Sequence, residues 1–186
     1  MKSKKAAMDM SVGTIVTIVL LMSVLVLGIF LVQKVFSSST GAIDSIDNQV
    51  QSEISKLFAD EDLSLVVYPT SREITLKKGD DPKGFAFSVK NRDVEPTDFM
   101  YEVKAEPSFD FTGRCGSTFS QAKANSFLLT NTGSFSLAPG NSLGLPELVK
   151  FIIPEEAAPC TIPYKLQVYK GQNMPYDGTT IFVTIK

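Results

Sequence analysis

From Val12 to Val32 the chain runs 21 residues without a charged side chain, VGTIVTIVLLMSVLVLGIFLV. As a helix this run is about 31 Å long, close to the roughly 30 Å of a bilayer's hydrocarbon core. A cleaved secretory signal has a shorter apolar stretch, about 7–15 residues, so the length favours a retained transmembrane helix over 12–36. Lys2, Lys4 and Lys5 precede the run and only Lys34 closely follows it. Lysine-rich flanks stay on the cytoplasmic side. The expectation is a single-pass protein of the cell membrane in contact with lipid. Its amino terminus is cytoplasmic, behind a basic leader of residues 1–11, and its carboxy-terminal domain is extracellular.

The remainder of the chain agrees with an outward location. Its two cysteines, Cys115 and Cys160, both lie there. An extracytoplasmic pair usually forms a disulfide, and closing that loop contributes roughly 4 kcal/mol on the chain-entropy estimate; two buried free thiols are the alternative. With Lys2, Lys4, Lys5, Lys34 and Asp9 set aside, residues 37–186 carry five more acidic than basic side chains. No basic stripe is present to displace counterions from phosphates, so nucleic acid is not an expected partner.

Beyond SSSTGA (37–42), the apolar residues Ile43, Ile46, Val50, Ile54 and Leu57 recur at steps of three and four. That spacing sets them on one stripe of an amphipathic stalk helix spanning 37–60, either continuous with the apolar helix or kinked at Gly41. Three partners for the stripe stay open: the chain's own domain, the same helix of a neighbour, or a membrane surface.

From residue 61 to 186 the pattern changes to short alternating runs bounded by Gly, Pro, Asn and Asp. The clearest is Ile162, Tyr164, Leu166, Val168. About nine strands are expected, in stacked antiparallel sheets with an immunoglobulin-like arrangement, and a looser stretch over 105–125. The fold class is therefore α+β: a long amino-terminal transmembrane and stalk helix followed by an all-β antiparallel immunoglobulin-like sandwich. Trp is absent, so the Cys…Trp…Cys spacing of antibody domains does not exist here. Tyr164 fits either a tyrosine corner or an ordinary core aromatic.

The chain contains no histidine, which removes Ser-His-Asp and Cys-His catalysis and the usual zinc sets. Asp80 and Asp81 in KGDDPKG carry oxygen donors of the kind calcium uses, but Lys77, Lys78 and Lys83 surround them and a turn is the better account. Asp60, Glu61 and Asp62 read as a solvated junction. Glu155 and Glu156 are adjacent, and adjacent strand residues point to opposite faces, so they would not share a proton. No catalytic residue, metal ligand set or cofactor is assigned, and an enzyme is not expected.

The amino terminus, KKAAMDMSVGTIVTIVLLMSVLV, resembles that of archaeal type IV pilin-like proteins and archaellins. The match is Lys4-Lys5-Ala6 followed by Ala7, Met8 and Asp9, and it covers residues 1 to 36. The resemblance implies that a prepilin-type peptidase cuts between Ala6 and Ala7, with Lys5 as the preceding cation. It implies that the apolar helix later packs in a filament core against other copies or other pilin-like subunits, with the β-domain on the outer surface. Asp9 is then an interface charge, which a neighbour's new amino terminus could neutralise or which stays wet beside Lys4 and Lys5. After such a cut the fifth residue is Ser11, where bacterial pilins carry glutamate. The alternative expectation is a permanently anchored single-pass surface protein whose sandwich binds a partner and does not assemble.

Overall fold

The computed structural model describes residues 6–38, 43, 46, 48–60, 63–171 and 173–186, with side chains described at 13–29, 43, 46, 48–58 and throughout the described part of 63–186. The chain divides into two compact units, Met1–Thr40 and Gly41–Lys186.

Among the described residues of the first unit lies one helix, α1 (Ala6–Ser38). Its described side chains, 13–29, form a stretch about 26 Å long at the helical rise. Among the described residues no helix is long and apolar enough to cross a membrane. The expected transmembrane helix over 12–36 is corrected accordingly. The single-pass membrane location, with a cytoplasmic amino terminus and an extracellular domain, and the permanently anchored alternative are withdrawn with it. Lys5 lies outside the described residues, and so do the side chains of Ala6, Ala7 and Asp9.

The second unit is mostly β. Among the described residues eight strands form two sheets. The smaller sheet has the order β1 (Leu65–Tyr68), β3 (Lys83–Val89), β6 (Glu147–Phe151). The larger has the order β2 (Glu73–Leu76), β8 (Met174–Ile185), β7 (Thr161–Lys170), β4 (Thr97–Ala105), β5 (Thr132–Leu137). The expected α+β class, a long transmembrane and stalk helix before an all-antiparallel immunoglobulin-like sandwich, is corrected in two respects. Among the described residues the long membrane-crossing element is not found, and the larger sheet is mixed, because β2 runs parallel to β8, pairing Ile74 with Val183 and Leu76 with Ile185. Strand polarity depends on how the chain travels between 69 and 73, which alternation along a strand does not encode.

The two sheets face each other across one apolar core. Phe85, Phe87 and Val89 of β3 meet Tyr101 and Val103 of β4 and Ile162, Tyr164, Leu166 and Val168 of β7. Ring contacts cross the interface, with Phe87 edge-on to Tyr101 and Phe151 edge-on to Tyr164, each at 4.9 Å. Edge-to-face geometry brings the positive ring edge onto the negative ring face.

A third layer covers the smaller sheet. Helix α2 (Asn48–Asp60) lays Val50 and Ile54 on Val66 and Ala86, with Ile43, Ile46 and Leu57 packed against the same cluster. The stripe thus docks on its own unit. The helix begins at Asn48 rather than 37, because Ile43 is held extended: its N–H donates to the Gly84 carbonyl and its carbonyl accepts from the Gly84 N–H, at 2.9 and 2.7 Å. Gly41, the expected kink, lies outside the described residues. With α2 on one side and the larger sheet on the other, β3 is buried on both faces.

The stretch 105–125 carries two short helices, α3 (Phe111–Cys115) and α4 (Gln121–Asn125). They are capped by Asp110, which accepts from the Gly113 N–H, and by Ser120, which accepts from the Lys123 N–H. Phe111, Phe119 and Phe127 chain ring to ring beneath them and seal that end of the core.

Candidate functional site

Two features stand out once the elements are placed, one in each unit. In α1, twelve large apolar side chains between Ile15 and Ile29 are each exposed by 50% or more. Residues 18 to 22 are consecutive apolar positions, and at 3.6 residues per turn they pass through every direction around the helix. The polar side chains along it turn inward: Thr17 donates to the Gly13 carbonyl and Ser23 to the Val19 carbonyl. A helix apolar on all sides is one that is buried in use.

The second feature is a concavity of about 480 Å³ in the β unit, lined by Ser108, Phe109, Asp110, Arg114, Thr161, Pro163 and Phe182. It forms where the segment after β4 folds back over the outer face of β7 and β8. Pro163 and Phe182 are register partners on that face, and Phe182 is 45% exposed. The Arg114 guanidinium lies 5.7 Å from the centroid of the Phe109 ring, a cation over a negative ring face. Asp110 stays below its ordinary carboxyl pKa, chiefly because the Gly113 N–H bonds to it, then through the Thr112 hydroxyl and the charge of Arg114. The concavity therefore offers an apolar floor with one cation and one anion at its rim.

Cys115 and Cys160 are joined, with Cα atoms 5.2 Å apart. The bridge fastens the end of α3 to the start of β7, so the segment carrying Phe109, Asp110 and Arg114 is tied to the strand carrying Thr161 and Pro163.

The remaining acidic candidates are placed apart. Asp80 pairs with Lys83 at 2.8 Å and also accepts from the Asp81 N–H at 3.1 Å, an arrangement that holds a turn. Glu155 and Glu156 are exposed, and Glu61 and Asp62 lie outside the described residues. Among the described residues no group of three His, Cys, Asp or Glu is placed to hold a metal ion. Tyr164 is a core aromatic whose hydroxyl bonds to Ala124, 40 positions earlier.

Sequence reasoning passed over Phe109, Arg114 and Phe182. One signal was present: Phe182 sits between the inward-facing Ile181 and Val183, so alternation puts a large apolar side chain on the wet face.

The chain matches no protein-family model and no curated protein. Among solved structures it is similar to a family 123 glycoside hydrolase from Clostridium perfringens, with 11% identity over 61% of this chain and a TM-score of 0.33. The chain spans only 22% of that protein's length, and a likeness this distant carries no argument about fold or activity.

Proposed function

We propose that this protein is a structural subunit, pilin-like in organisation, whose copies associate through α1 into a filament or a smaller pseudopilus-like assembly. The observation that carries this reading is the ring of exposed Ile, Val, Leu and Met side chains around α1. Each such side chain is worth about 1.5–3 kcal/mol when moved from water into apolar contact. Neighbouring copies of the same helix supply that contact on every side at once. The resemblance of residues 1–36 to archaeal pilin-like proteins and archaellins supports the same reading. The partners are then other copies or other pilin-like subunits, with a prepilin-type peptidase acting between Ala6 and Ala7.

The test uses the full chain purified from its native source. Sedimentation and negative-stain electron microscopy are expected to find assemblies, and mass spectrometry to find Ala7 as the first residue. Leu21→Glu puts a carboxylate into the shared helical core and is expected to weaken assembly at least tenfold, while the melting of the β unit stays unchanged. A wild-type chain that remains monomeric at high concentration overturns the reading.

A further inference from the structure

We infer that the β units of neighbouring copies contact one another head to tail, the Val94 loop of one seated in the Phe109–Phe182 concavity of the next; this rests on the assembly reading above. Val94 is 92% exposed, the most exposed large apolar side chain described in the β unit. It is nevertheless rigidly presented. Asn91, fully buried, donates from Nδ2 to the carbonyls of Glu95 and Leu137, both at 2.9 Å, and its Oδ1 accepts from the Asp93 N–H. Lys170 Nζ grips both carboxylate oxygens of Asp93, at 3.0 and 2.9 Å. The Arg92 N–H donates to the Tyr176 hydroxyl, which in turn donates to the Lys90 carbonyl. A loop held this firmly loses little conformational entropy when it docks.

The concavity that receives it lies at the other end of the same strand. The Val94 loop leads directly into β4 at Thr97, and the segment carrying Ser108 to Arg114 follows β4 after Ala105. Nine strand residues separate the two by about 30 Å. Knob and socket on opposite ends of one body make a heterologous contact, which repeats from copy to copy, as an open chain or a ring, instead of closing a symmetric dimer. The chemistry matches. Val94 methyls meet Phe109, Pro163 and Phe182, and Glu95, exposed beside Val94, meets Arg114. A single loop in a single socket buries less than an independent interface requires. The contact forms where α1 already holds the copies together and raises their effective concentration.

The experiment uses the full-length double variant Val94→Cys/Ser108→Cys, oxidised mildly after assembly and run on a non-reducing gel. A ladder of covalent multimers is expected, with neither single variant giving one, and peptide mapping is expected to find Cys115 still joined to Cys160. Adding Arg114→Glu is expected to cut the ladder at least tenfold, and adding Glu95→Arg as well to restore it. Assemblies that sediment normally but give no ladder overturn the head-to-tail contact and leave the assembly reading standing. A dimer without higher rungs overturns it too, since that indicates a symmetric contact. Failure of the wild-type chain to assemble sinks both.

Discussion

The Tyr164 hydroxyl donates a 2.8 Å hydrogen bond to the main-chain carbonyl of Ala124, and both residues are fully buried. One side chain thereby fastens α4 to the centre of β7, while its ring packs edge-on to Phe151 of the opposite sheet.

Tyr164→Phe is expected to destabilise the β unit by about 1 kcal/mol, the usual net worth of one such bond. The Ala124 carbonyl keeps a 3.2 Å bond from the Phe127 N–H, so the larger penalty of an orphaned acceptor does not apply. Urea unfolding measures it: the midpoint falls and the slope stays constant. An unchanged midpoint removes Tyr164 from this role.

Stability is expected to fall as pH rises from 10 toward 12. Burial, with the negative charge of Glu147 second, pushes the Tyr101 hydroxyl up from 10.0 to about 12. Burial moves Tyr164 in the same direction. In this window the unfolded chain has released these protons and the folded chain still holds them. The unfolded state therefore binds fewer protons, and stability declines with each step in pH. Below pH 10 both states are protonated and these groups contribute no slope. Denaturant midpoints measured from pH 8 to 12 check the trend, and Tyr101→Phe is expected to flatten part of it.

Gly84→Ala is expected to cost about 3 kcal/mol or more, at the upper end of overpacking effects. A Cβ there would stand 1.7 Å from the Val149 carbonyl oxygen and 2.7 Å from its carbon, both of them backbone. Neither can yield without parting β3 from β6, and Gly84 also holds Ile43 through both its backbone groups. Gly144→Ala is the control: nothing lies within 4 Å of its added carbon, and its effect is expected to stay below about 0.5 kcal/mol. Equal midpoints for the two variants would contradict the close approach.

How much was legible before the fold was known can be judged from particular residues. The period of Val50, Ile54 and Leu57 marked a helix with one greasy stripe, but the same stripe fits a neighbour or a lipid surface equally well. Only the folded chain lays it on Val66 and Ala86. Ile43 shared the stripe's spacing and still became extended, because Gly84 offered its backbone two hydrogen bonds. The stretch 105–125 read as loose, since helices of five residues are too short to show a period. Phe109 and Arg114 were hidden with it, and their concavity exists only because that stretch folds back onto Pro163 and Phe182.

By itself the sequence determined the local properties of this protein: an apolar, uncharged amino-terminal run, an amphipathic segment behind it, and alternating strands with turn residues between them. These follow from side-chain periodicity, which nearest neighbours along the chain dictate. Tertiary structure alone decided the parallel pairing of β2 with β8, the seat of α2 on the smaller sheet, and the placing of Arg114 and Phe182, far apart in the chain, around one concavity. Those outcomes compare alternative partners for the same surfaces, and the free energies that separate the alternatives belong to the packed whole.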